Sequence, residues 1–418
     1  MNGNNRISIL TVIGPGLLVA ATGVGAGDLA TAGFAGMRFG LTLLWAVAVG
    51  AAIKFAVTEG LARYQLATGK TLAEGCAHHL GWTFKVLFLF YLLTWSFFVG
   101  SALMSACGAA AHALAPLLDT PEHDKQFYGV VHSAVGAALV IIGGYALFEK
   151  IMRVCIGLMF VTVITTAILL APDWTAILSG LFVPRIGGEG SDWALALIGG
   201  VGGTLTVLCY GYWIREEGRS GVTALRACRI DLAVGYIMTA LFGFTMIIIG
   251  SQVTTEGSGA QLIVGLGRAL GDVIGPAGMW LFLIGAWGAV FSSLLGVWQS
   301  VPYIFADFVG LVRKDTPEEH AQRIETTSNT YRAYLGAIAI VPILGLYIEF
   351  EHIQKAYAIF GAFFMPFLAG VLLFLNGKRL VAEAFVNRWP SRVALGGSLI
   401  FFLVLAGQQL WGLFQGGN

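Results

Sequence analysis

The chain has 418 residues, of which 57% are hydrophobic and 11% charged, with a formal net charge of +1. Soluble domains carry about 25% charged residues, so no soluble fold of this length could hide this much apolar surface. The sequence therefore reads as an all-α integral membrane protein in a lipid bilayer, with no basis for nucleic acid as a partner.

The N-terminus is short and polar, with Arg6 as its one charge, and the apolar run after it lacks an A-x-A cleavage site. It reads as a first membrane helix and not as a removed signal peptide. A spanning helix needs about 20 mostly apolar residues. Eleven runs qualify, at about 11–36, 40–62, 84–114, 129–148, 151–171, 194–214, 230–251, 276–307, 333–348, 355–376 and 393–415.

The first run reads GPGLLVAATGVGAGDLATAG from Gly14. Gly23, Gly25 and Gly27 interrupt it, and Asp28 follows. A glycine-interrupted membrane helix frees backbone groups to bind a solute, and a carboxylate at membrane depth marks a site or a partner. Asp28 would offer a hard oxygen to a cation, with carbonyls near Thr22, Gly23 and Gly25, or it caps the helix that begins there.

The second run holds Lys54, Glu59 and Arg63. Glu59 and Arg63 are spaced i,i+4 and can pair near the inner surface, and Lys54 and Glu59 are proton or gating candidates. Lys54 lies deeper, with no in-register carboxylate on its own helix. Its ammonium would repel a metal and favour an anion, would replace a bound sodium, or snorkels along a wet cavity. His112 and His132 are candidate proton shuttles or plain interfacial residues.

The sixth run carries Gly199-Gly200-Val201-Gly202-Gly203 and then Tyr210-Gly211. Glycine-rich first helices in two corresponding halves point to broken helices around a midplane site, with Tyr210 and Gly211 beside Asp28. Close helix packing is the competing use of these glycines. Arg215, Glu216 and Glu217 follow where this helix leaves the membrane and are gating or proton-path candidates, or an ordinary interfacial cluster. Ser292, Ser293 and Gln299 in the eighth run are polar wall residues or helix–helix hydrogen-bonding groups.

Placing the N-terminus in the cytoplasm puts 18 of the 24 basic residues in inside segments, five outside and Lys54 within a span. The alternation predicts eleven spans with the C-terminus outside, in a cell (inner) membrane. Spans one to five (about 11–171) and six to ten (about 194–376) then form a five-plus-five inverted repeat within a single membrane domain, with 393–415 appended. Cys76, Cys107, Cys155, Cys209 and Cys228 lack CxxC spacing, which speaks against a disulfide framework or a cysteine zinc site. GxxxxGK[ST], HExxH and phosphorylation signatures around Asp307 and Asp315 are missing, so an ATP-driven pump or an enzyme has no footing. No permanently bound cofactor is expected. The oligomeric state stays open.

GPG, eight apolar or small residues, a four-residue break and L-A-T resemble the first helix of the Nramp divalent-metal transporters. Met365-Pro366-Phe367 is similar to that family's L-P-F segment in the tenth span. The resemblance implies a LeuT-like fold with helices one and six broken. It also implies secondary-active, alternating-access transport of a divalent cation such as Mg²⁺ or Mn²⁺, coupled to H⁺ or Na⁺. The family's D-P-G-N falls here on Gly25-Ala26-Gly27-Asp28, and its M-P-H-N on Leu208-Cys209-Tyr210-Gly211. The metal aspartate is thus Gly25 and the thioether is absent, while Asp28 stands about one turn later. The third run has no acidic residue where the family carries part of its proton route. An organic or anionic solute, or a non-transporting sensor, are the other readings of the same fold.

Overall fold

The computed structural model describes residues 14–170, 173–185, 190–200, 202–252 and 261–415. Arg6, the first three residues of the first predicted span, the last residue of the fifth and Val201 lie outside these. Every regular element among the described residues is helical. In order they are α1 (Pro15–Gly23), α2 (Ala26–Phe39), α3 (Leu44–Thr68), α4 (Leu72–Leu114), α5 (Pro121–Leu169), α6 (Trp174–Phe182), α7 (Gly190–Gly200), α8 (Cys209–Glu216), α9 (Gly221–Ser251), α10 (Gln261–Ile274), α11 (Pro276–Arg313), α12 (Pro317–Arg323), α13 (Asn329–Ile340), α14 (Phe350–Leu375) and α15 (Trp389–Gln415).

Among the described residues seven helical stretches, with Trp193–Glu216 taken as one, are long and apolar enough to cross a bilayer. An eighth span forms if Pro15–Gly23 and Asp28–Phe39, bent by 55°, count as one. All eleven predicted runs overlap helix, and α6, α10 and α12 are additional connecting helices.

Boundaries shift for identifiable reasons. α4 starts at Leu72, behind a capping box in which Thr71 and Glu74 satisfy each other's backbone. Gly81, at φ 68°, then separates this opening piece from the long apolar run. The turn between the fourth and fifth predicted spans was expected near 148–151, where Lys150 stands. It lies at Gly144, with φ 56°. A left-handed residue is cheap only for glycine, whereas Arg153 and Glu149 form an i,i+4 pair within the helix.

The first and sixth spans are both interrupted. α1 ends at Gly23, and α2 begins after Val24 and an extended Gly25. α7 ends at Gly200, Gly202 and Gly203 stand at φ 78° and 81°, and a short 3-10 turn (Leu205–Leu208) leads into α8. The two breaks touch: a Cβ added at Gly23 would lie 2.7 Å from the Gly202 carbonyl carbon. Small residues bring helix backbones together elsewhere too. A Cβ on Gly16 would meet the Asp231 carbonyl oxygen at 2.2 Å, and one on Gly250 the Gly33 oxygen at 2.2 Å. α9 is thereby clamped along α1, α2 and α3.

Candidate functional site

Asp28 is the third residue of α2 and 5% exposed. Its carboxylate accepts the backbone N–H groups of Gly25 and Gly202, one from each break, and faces the Lys54 ammonium. It is therefore not the N-cap, which is Gly25. It reaches back to the N-cap amide from the third position, as the acidic member of a capping box does, and sits at the positive end of a half-helix.

Lys54 projects from the middle of α3 and is fully buried. It does not snorkel to an aqueous edge. Nζ donates to the Gly199 carbonyl at 3.1 Å and also to the Gly203 carbonyl. These oxygens belong to the C-terminal end of α7 and the break beyond it, which lack the next helical turn. One lysine thus caps the negative end of one half-helix while facing the carboxylate at the positive end of another. Thr204, the next residue, accepts the Trp95 indole N–H at 3.0 Å and hydrogen-bonds Tyr357, whose ring also lies near Asp28.

The first-break carbonyls are less available than expected. The Thr22 carbonyl accepts Ser293 Oγ at 2.7 Å, and the Gly25 carbonyl accepts the Leu29 amide at 3.0 Å. Ser292 Oγ donates to Ala21. Both serines therefore steady α1 from α11. The buried Thr22 hydroxyl has no hydrogen-bond partner among the described residues, a polar group left over at the end of α1.

Tyr210 and Gly211 are not brought beside Asp28. The break precedes them, so both fall in α8. Gly211 packs on Gln65, whose amide donates to the Gly211 carbonyl at 2.5 Å. The Tyr210 hydroxyl donates to Asp231 at 3.1 Å. Fully buried Asp231 also accepts the Gly14 amide at 3.1 Å and Arg219 at 3.0 Å. It fastens the start of α1 to α8 and α9.

Glu59 bridges Arg63 at 2.7 Å and Arg229 at 2.8 Å, and Arg63 donates to Asn387. Glu216 accepts the Tyr303 hydroxyl at 3.0 Å, beside a cavity of about 180 Å³ lined by Tyr212, Arg215 and Glu216. Glu217 lies near Gly14, where an added Cβ would stand 3.5 Å from its carboxylate oxygen.

A second buried carboxylate, Asp307, accepts Thr71 at 2.7 Å, Tyr212 at 2.5 Å and His320 Nε2 at 2.7 Å. Its hydrogen bond holds the His320 imidazole above its ordinary pKa. Glu74, Asp307 and His320 place ligand atoms within 4.8 Å of one another, a set that could hold a metal. The Asp307 hydrogen bonds tie α11 to the residue that caps α4, to α8 and to α12. These contacts gather at the helix ends that carry the basic residues.

His112 pairs with Asp124 at 2.6 Å, and His132 is held between the Tyr128 carbonyl and the Trp287 indole. Gln299 accepts the Trp213 indole N–H at 3.0 Å. Sequence reasoning missed Asp231, and it weighed Asp307 only as a phosphorylation site. The signal was present, since each is a lone carboxylate inside an apolar run, as Asp28 is.

Comparison with known proteins adds a lineage. A family model described as natural resistance-associated macrophage protein-like matches residues 16–412. The metal transporter nramp1 homolog of Dictyostelium discoideum is 23% identical over 90% of this chain and 70% of its own length. The divalent metal cation transporter MntH of Burkholderia ambifaria is 22% identical over 98% of this chain and 90% of its own. A crystal structure of the Eremococcus coleocola manganese transporter superposes with a TM-score of 0.74 at 17% identity, covering 100% of this chain and 91% of that one. MhsT in complex with L-phenylalanine gives 0.58 at 17% identity, covering 93% and 97%. The fold is the LeuT-like fold of these transporters.

Proposed function

Because this chain belongs to the natural resistance-associated macrophage protein-like family, we propose that it carries a metal cation across the cell (inner) membrane by secondary-active, alternating-access transport. Members of the family are multi-pass membrane transporters and not enzymes.

One observation carries the reading. Asp28 is a buried carboxylate held at the meeting point of two helix breaks by one amide from each. Discontinuous helices at the midplane are how this architecture builds solute sites. A carboxylate with backbone and hydroxyl oxygens is a hard donor set, which suits Mg²⁺ or Mn²⁺ better than a soft ion. The relatives named for divalent metal and manganese support the same class. Asp28 would take over the charge that the family's aspartate, here Gly25, no longer supplies. Gly23 and Gly25 would let the backbone approach the ion. The contacts of Asp231, Glu59 and Asp307 would form the inner gate, broken and remade as the two five-helix repeats (about 11–171 and 194–376) rock. A gradient of H⁺ or Na⁺ would drive the cycle.

Calorimetric titration of purified protein with Mn²⁺, Mg²⁺ and Ca²⁺ tests this. Saturable binding of Mn²⁺ or Mg²⁺ is expected, and its disappearance in Asp28→Ala. Titrations flat for all three ions would end the metal reading and leave an organic or anionic solute facing the Asp28–Lys54 pair. Saturable binding without ion flux into vesicles would mark a sensor.

A further inference from the structure

We propose that the Lys54 ammonium is a tethered cation filling a monovalent-cation site built from the carbonyl oxygens of Gly199 and Gly203, beside Asp28, so that the native protein needs no sodium ion at this position. The inference rests on reading the breaks as the transport site and deepens it by naming what holds the sixth-helix break together.

Where α7 stops, its last carbonyls have no following turn to bond them. Left bare inside a membrane protein, each would be costly, since the bilayer core offers no water to bond it. Carbonyls freed in this way coordinate alkali ions where helices are discontinuous. Here a fully buried primary ammonium takes the position. Nζ bonds both the Gly199 and Gly203 carbonyls and faces Asp28. An ammonium and a sodium ion carry the same charge and seek the same oxygen ligands. The difference is that the lysine is bonded to α3 and cannot leave.

Among the described residues the neighbouring hydroxyl is already engaged. The adjoining Thr58 hydroxyl is spent on the Lys54 carbonyl and on Tyr236. The Lys54 ammonium therefore has the break and Asp28 as its company, in a cradle whose geometry is fixed by two left-handed glycines.

The test is thermal unfolding of the purified full-length chain in sodium chloride against choline chloride at equal ionic strength. The native protein is expected to melt at the same temperature in both. Lys54→Ala, which removes the ammonium and opens room for an ion, should melt lower in choline and be raised by about 2–4 °C or more in sodium. Lys54→Arg keeps a fixed charge and should show no sodium response.

A Lys54→Ala protein equally destabilised in both salts would mean that Lys54 is only a helix cap, and the proposal would fail. A sodium response of the native protein as large as that of Lys54→Ala would also overturn it. If Lys54→Ala can be purified in sodium but not in choline, the proposal stands; if it folds in neither salt, sodium does not replace the ammonium and the proposal falls. Manganese calorimetry on the same samples separates the two readings. A sodium response without manganese binding retires the metal cargo and keeps the tethered cation, and the reverse pattern retires the tethered cation alone.

Discussion

At the residue scale, the charges of this protein divide into two groups with different neighbours. Asp28 and Lys54 meet backbone groups of the helix breaks, whereas Glu59 and Asp307 meet side chains at the helix ends and Asp231 meets side chains together with the Gly14 amide. Asp28 was legible because a lone carboxylate in an apolar run is expensive. The carbonyls that Lys54 bonds were not, since Lys54 and Gly203 are 149 positions apart and no spacing rule links them. His320 makes a pH-dependent contribution whose sign follows from geometry. Its hydrogen bond to Asp307 raises the imidazole pKa in the folded chain. Stability from this contact is thus fully present below the ordinary histidine value and is lost as pH rises through the raised one. Melting temperature followed between about pH 6 and pH 9 should therefore fall more steeply for the native chain than for His320→Gln. Equal slopes would show that the contact does not titrate.

At the element scale, glycine decides where helices stop and how near they come. The first break was readable from Gly23, Gly25 and Gly27. The sixth was readable as a glycine cluster, but its register was not. Matching the family motif placed the break at Leu208–Gly211, while the backbone turns at Gly202 and Gly203. Both positions offer glycine beside aromatics, and only the left-handed φ values choose between them. Gly144 was passed over in favour of nearby charges for a related reason: a sequence window cannot tell a helical Lys150 from a loop one. The contact of the two breaks makes a prediction. A side chain at Gly23 would press on the Gly202 backbone, which cannot swing aside as a flexible side chain can. Gly23→Val should cost about 1–3 kcal/mol, the usual range for overpacking, read as a lowered melting temperature in detergent. An unchanged melting temperature would mean that the breaks are not in fixed contact.

At the scale of the whole molecule, charge order bears on orientation in the membrane. Basic residues concentrated at alternate loops would place the N-terminus in the cytoplasm and the C-terminus outside if the chain crosses eleven times. Alkaline phosphatase fused at the C-terminus should be active and a fluorescent protein fused there dark, with the opposite pattern after Arg153; a bright C-terminal fluorescent fusion would refute the assignment. Composition and apolar run length were enough to specify a helical membrane protein, because the bilayer admits few other ways to satisfy a backbone. The resemblance carried by GPG and Met365-Pro366-Phe367 pointed to the lineage. Packing alone decided which polar groups meet. Lys54 reaches α7, Asp231 caps α1 and Asp307 joins four helices, since the closeness of residues far apart in sequence depends on how the helices are laid against one another, and a one-dimensional pattern does not record that arrangement.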